Sequence, residues 1–122
     1  MQVVIVEPRK KPMVQNIDDG LEAMQKIVGG TIQATYPFEE PIALICNDEG
    51  KFLNLPLNRA LRDNAGCVYD IVAGTFFLCA ASADKDNFAS LTEEQIQTCL
   101  KRFAVPEQFV KVGDAVFVLP VP

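Results

Sequence analysis

The chain has 122 residues, 49% of them apolar and 22% charged, with a net charge of −5. This is the composition of one folded domain over residues 1–122, not of a disordered chain, and the acidic balance excludes a general nucleic-acid binder, which needs a basic footprint. There is no histidine, so Ser-His and Cys-His nucleophilic pairs and histidine metal ligands are excluded as well.

The β-branched run "QVVIV", Gln2–Val6, predicts a buried strand. A polar turn between prolines follows, and "MVQNI", Met13–Ile17, reads as an edge strand pairing back. "DDGLEAMQKIVGG" predicts a helix over about 19–28. Asp19 with Glu22 fits a capping box, Leu21, Met24, Ile27 and Val28 form the apolar stripe, and Gly29-Gly30 supplies the stop. "TIQATY", Thr31–Tyr36, alternates: Ile32, Ala34 and Tyr36 face the core, while Thr31, Gln33 and Thr35 face away. "IALIC", Ile42–Cys46, is apolar throughout and more deeply buried.

Residues 51–63 read as irregular, with a short helical turn over Asn58–Arg62. "CVYDIVAGTFFLCAA", Cys67–Ala81, predicts one central strand with both faces apolar, and Gly74 in its middle marks a bulge or a close approach of a backbone or ligand. A loop over 82–89 leads to a second helix over about 91–103, capped by Ser90 with Glu93 and buried through Ile96, Cys99, Leu100 and Phe103. "FVKVGDAVFVL" predicts two strands about a Gly113-Asp114 turn. The order implies an α+β fold: a mixed, mostly antiparallel sheet with two helices on one face.

Cys46, Cys67, Cys79 and Cys99 are widely spaced without a CxxC pair, so no metal or cofactor site is expected and the cysteines read as small buried hydrophobes. The early apolar run Val3–Val6 is too short for a secretory leader, and no stretch is long enough to span a membrane. The expected location is the cytoplasm.

Candidate binding residues cluster around "LNLPLNRALRD". On a helical turn Arg59 and Arg62 share a face, where two guanidiniums fork onto a phosphate or carboxylate. Asn54 and Asn58 add polar edges, Tyr69 and Thr75 add hydroxyls along one face of the strand that carries Gly74, and Tyr36 adds an aromatic face. The bland reading of the same residues pairs Arg59 with Asp63 or Asp70 and leaves Arg62 to cap loop carbonyls.

"YPFEEPIALICNDEGKFLNLPLNRALRD" with "YDIVAGTFFLC", and the opening "VVIVEPRKKPMVQNIDDGLEAMQKIVGG", resemble the bacterial and phage family known as domain of unknown function 3846, over about residues 2–82. The resemblance implies a setting, small proteins of gut-type bacteria, their phages and mobile elements, without a reaction or catalytic residue. It marks Asn58, Arg59, Gly74 and Thr75 as family-typical positions.

The leading expectation is a non-enzymatic phage or mobile-element accessory protein in the host cytosol that binds a small anionic ligand such as a nucleotide signal and sequesters it from a host defence. The alternative is an acidic inhibitor of a host protein, of the anti-restriction or DNA-mimic type. It requires the pairs Asp18-Asp19, Glu39-Glu40, Asp48-Glu49 and Glu93-Glu94 to share one surface. A third reading is a small catalyst with an unfamiliar site that uses either Cys67, beside a turn, or a carboxylate. The apolar segment 115–122 either offers an edge strand for a homodimer or higher oligomer, or completes the protomer's own sheet.

Overall fold

The computed structural model describes residues 1–81 and 88–121. Three apolar strands form the centre of the main sheet: β1 (Gln2–Val6), β4 (Ile42–Asn47) and β7 (Phe76–Ala81). With β2 (Met13–Asn16) and β3 (Ile32–Thr35) they run in the order β2-β1-β7-β4-β3, and the short β8 (Phe88–Ala89) adds to β7. Among the described residues every strand pair is antiparallel.

Alternate side chains of the central strands feed two separate cores. Val3, Ile5, Ala43, Ile45, Phe77 and Cys79 pack with Met24 and Val28 of helix α1 (Leu21–Val28). Val4, Val6, Ile42, Leu44, Phe76 and Leu78 pack with Ile96, Cys99 and Phe103 of helix α2 (Glu93–Arg102) and its C-cap. The fold is α+β as expected, but the helices lie on opposite faces instead of one. Strands that are apolar on both sides need cover on both sides, and one helical layer leaves half of that surface in water.

The segment read as one long strand is two. Val68–Ala73 forms β6, and Gly74, with φ +83°, turns the chain so that β7 joins a different sheet. Its amide donates to Pro56 O at 2.7 Å, and the group that approaches the glycine closely is the Leu55 side chain rather than a backbone or ligand: a Cβ here would lie 2.8 Å from Leu55 Cδ1. The turn expected at Asn58–Arg62 is instead strand β5 (Leu57–Arg62), paired with β6. Arg, Ala and Leu favour helix locally, and tertiary pairing overrides that preference. The hairpin β5–β6 lies over the α2 side of the sheet, with Leu61 and Val72 entering that core.

Both helix caps differ from expectation. Gly20 caps α1 without a side-chain bond, and at α2 Thr92 and Gln95 form the capping box. Ser90 instead accepts from the Gln2 amide at 2.9 Å, tying the approach to α2 onto β1. Of the loop expected over 82–89, residues 82–87 lie outside the described residues, and Phe88–Ala89 are strand. The expected C-terminal strands form as β9 (Glu107–Val112) and β10 (Ala115–Pro120). They make a two-stranded sheet of their own rather than completing the main one. No described helix is long and apolar enough to cross a membrane.

Candidate functional site

The register of β5 on β6 skips twice. Leu57 pairs with Ala73 and Arg59 with Val72, leaving Asn58 as an extra residue; Leu61 pairs with Asp70 and Arg62 with Val68, leaving Tyr69 as another. Such bulges re-aim side chains, and at the first of them the neighbours Asn58 and Arg59 are both buried, at 0% and 1% exposure.

The buried guanidinium is saturated. Arg59 Nε donates to Phe103 O at 3.4 Å. Its Nη1 donates to Asn58 O and Oδ1 at 3.2 and 3.0 Å, and its Nη2 to Lys10 O and Phe103 O at 2.6 and 3.2 Å. A guanidinium has five N–H groups, and these contacts use all of them. Asn58 Nδ2 donates to Val6 O at 2.8 Å and Gly74 O at 2.9 Å. Burial pushes the Arg59 pKa below its ordinary value, and the nearby Glu107 carboxylate opposes that shift. Phe103 is the C-cap of α2, so the cation also sits at the negative end of a helix dipole. Arg59 thus joins the loop after β1, the strand β5 and the end of α2. This corrects the expectation of an anion held by Arg59: no donor is left, and no surface is open to a ligand. Its pairing with Asp63 or Asp70 is likewise replaced by carbonyl contacts.

Arg62 is turned elsewhere. Its Nη2 pairs with Glu107 Oε2 at 2.7 Å, and Glu107 Oε1 accepts from the Ala60 amide at 3.1 Å. The carboxylate thereby anchors β9 to β5. The other expected site residues are dispersed. Asn54 is exposed with φ +56° in the turn after β4 and shares an outer groove with Tyr69. Thr75 is half-buried in the break before β7, and Tyr36 stands exposed beyond the end of β3. Asn58, Arg59 and Gly74 therefore belong to one internal network, while Tyr69 lines one outer groove with Asn54 and another with Arg62, and Thr75 and Tyr36 stand apart.

A different place has the properties of a site. A cleft of about 630 Å³ opens between the β3–β4 edge of the sheet and β6 of the hairpin. Its walls include Thr35, Leu44, Cys46, Ile71 and Val72, and its polar rim Asp48, Glu49, Lys51 and Asp70. The turn leaving β4 shapes one end. Asn47 accepts from the Glu49 amide at 2.8 Å and donates to Val28 O at 3.1 Å, locking the turn to the end of α1. Gly50 allows the turn to meet β6, since a Cβ there would lie 2.8 Å from Ala73 O. Lys51 bonds Asp70 across the cleft mouth, and beside them Phe52 projects almost wholly into solvent.

Two features of this cleft bear on its chemistry. Thr35 Oγ1 is the one buried side-chain nitrogen or oxygen among the described residues without a hydrogen-bond partner, and such an atom costs roughly 1–3 kcal/mol when nothing meets it. The rim carries three carboxylates against one ammonium. Cys46 registers the resulting field: its pKa is raised first by burial, then by Asp70 and Asp48, with Lys51 opposing. The thiol is therefore held protonated at neutral pH, which disfavours it as a nucleophile. Neither feature is conspicuous in the sequence. The alternation of "TIQATY" turned Thr35 away from the α1 core correctly, but nothing local shows that a hairpin covers that face.

Residues 1–104 match the family model described as Domain of unknown function (DUF3846). The chain belongs to this family. The match includes the whole cleft and the Arg59 network, and it ends before the β9–β10 hairpin. No curated protein and no solved structure matches the chain.

Proposed function

We propose that this member of the DUF3846 family is a non-catalytic binding protein whose site is the cleft between β3–β4 and β6, and whose ligand is a small amine or guanidine. The observation that carries this reading is the net negative rim of the cleft, where Asp48, Glu49 and Asp70 face one ammonium, Lys51, with Thr35 in the wall beneath. A ligand's cationic charge matches Asp48, Glu49 and Asp70, and a small shift of the wall lets its N–H donor meet the buried Thr35 hydroxyl. The cleft volume suits a small organic molecule. The arrangement argues against an anionic ligand at this place, and a nucleotide signal there meets like charge.

The family resemblance supplies the setting of the proposal, a phage or mobile-element accessory protein that sequesters a small host molecule in the bacterial cytosol. The acidic-inhibitor reading has less support. Asp18-Asp19 precede α1 and Glu93-Glu94 open α2, and these helices lie on opposite faces of the sheet.

Isothermal titration against putrescine, agmatine and spermidine, beside a panel of nucleotides and cyclic nucleotides, tests the proposal. The expected result is saturable binding of an amine or guanidine that weakens at least tenfold in both Thr35→Val and Asp70→Asn. Binding of a nucleotide that is unaffected by these substitutions, or no binding of any cation, rejects it.

A further inference from the structure

The β9–β10 ribbon is anchored at the start of β9, where Glu107 grips Arg62 and the Ala60 amide. The side of the ribbon that carries Glu107 and Phe109 also carries Lys111, and the register sets Lys111 opposite Val116. Between these two residues and the β5–β6 hairpin lies a groove of about 690 Å³, closed at a third side by the turn after β4. That volume suits a small organic molecule. Leu55, Leu57, Val68, Ile71 and Val116 supply its apolar surface.

Charge separates this groove from the neighbouring cleft. Lys51 and Asp70 line both and are bonded to each other. On the cleft side Asp48 and Glu49 join them and make the rim negative. On the groove side the charge that joins them is Lys111, so two ammoniums stand against one carboxylate. The groove is thus positive in a chain that carries −5 overall. Lys111 forms no ion pair among the described residues. Beside it the exposed Asn54 and Tyr69 present an amide and a hydroxyl as neutral donors.

We propose that this groove is a second binding site, for a small amphipathic monoanion: a carboxylate on an aromatic or aliphatic body. Lys111 supplies the countercharge, and Asn54 and Tyr69 supply donors to the carboxylate oxygens. Val68, Tyr69 and Val116 are exposed in the protomer, and an apolar body takes their surface out of water. One uncompensated ammonium matches one negative charge. A nucleoside phosphate brings more charge than Lys111 offsets and sets it beside Asp70, while a cation meets Lys111 as a like charge. The site is distinct from the cleft and does not rest on the amine reading.

An amide chemical-shift titration of the full chain with phenylacetate, its neutral analogue phenylacetamide and the cationic phenethylamine tests the proposal. Phenylacetate is expected to give saturable shifts at Tyr69, Lys111 and Val116. Phenylacetamide is expected to bind there at least threefold more weakly, as suits the loss of a solvent-exposed charge pair, and phenethylamine more weakly still. Lys111→Glu reverses the charge and is expected to weaken phenylacetate binding at least tenfold. Lys26→Glu makes the same change in net charge on α1, across the main sheet, and is expected to bind as wild type. Both lysines are exposed, so neither substitution opens the core. Equal binding of phenylacetate and phenylacetamide, wild-type affinity in Lys111→Glu, or no saturable shift in the groove overturns the proposal. Lys111 does not line the cleft, so failure here leaves the cleft reading standing, and failure of agmatine to bind the cleft leaves this site standing.

Discussion

The hairpin β5–β6 has polar groups along its two sides, and the fold treats them in opposite ways. Beneath β5, Arg59 and Asn58 are fully buried and their donors are met by carbonyls from the loop after β1, the bulge, Gly74 and the end of α2. Beside β6, Thr35 Oγ1 is buried with no partner, in a cleft edged by Asp70 and Lys51. The first region is a finished network, and its chemistry is spent on holding the chain together. The second is unfinished, and it is there that we propose a ligand binds. A concentration of arginine and asparagine in a sequence marks where polar groups must be accommodated; whether they are free to act depends on what the rest of the chain offers them.

The largest expected effect comes from opening the finished region. Arg59→Ala leaves Phe103 O, Lys10 O and the Asn58 acceptors unmet in a dry site, and urea unfolding should show a loss of about 3–5 kcal/mol. Arg59→Lys should recover little of this, because an ammonium cannot reproduce the planar fork. If Arg59→Ala were as stable as wild type, the contrast between the two regions would fail.

Next in size is an alkaline loss that belongs to the core rather than to either polar region. Burial pushes Cys79 and Cys99 from the ordinary 9.0 up to about 12. A thiol whose pKa is raised on folding favours the folded state below the unfolded pKa, where both forms are protonated. As pH rises beyond it, the unfolded chain ionises first. Stability should therefore be level below pH 9 and fall between 9 and about 12, as read from denaturation midpoints. The double variant Cys79→Ala/Cys99→Ala should flatten that decline.

Glu107→Gln should cost about 2 kcal/mol, because the side chain serves both Arg62 and the Ala60 amide. It should also loosen the β9–β10 ribbon, seen as faster amide exchange there than in the main sheet. The smallest effects are expected in the unfinished region. Lys51→Ala removes a solvent-exposed ion pair with Asp70, worth no more than about 1 kcal/mol. Thr35→Val deletes an orphan hydroxyl and should leave stability within about 1 kcal/mol of wild type. A large loss in either would mean that the cleft is a structural joint.

Much of the architecture was legible in the sequence. The buried strands at Gln2–Val6 and Ile42–Cys46, the C-terminal hairpin, the helical stripe of Ile96, Cys99, Leu100 and Phe103, and the stop at Gly29-Gly30 follow from periodicity and turn chemistry. Gly74 reads as a special position, and its close neighbour is the Leu55 side chain. The failures share one cause, the absence of long-range information. "NRALR" has helical preferences and becomes strand because β6 pairs with it. Arg59 looks available in the sequence because its four acceptor atoms belong to Asn58, Lys10 and Phe103, and the last two residues are distant in sequence. Glu107 gave no local sign that it would plug the edge of β5 and grip Arg62. Thr35 reads as facing away from the core, since nothing nearby foretells the cover by β6.

The most direct test of the account is an amide chemical-shift titration of the isotope-labelled chain with agmatine. Saturable changes centred on Thr35, Cys46 and Asp70 are expected, with Asn58 and Arg59 unmoved. Changes confined to Arg62 and Tyr69, or a spectrum that agmatine leaves unaltered, would contradict the assignment of the cleft as the binding site.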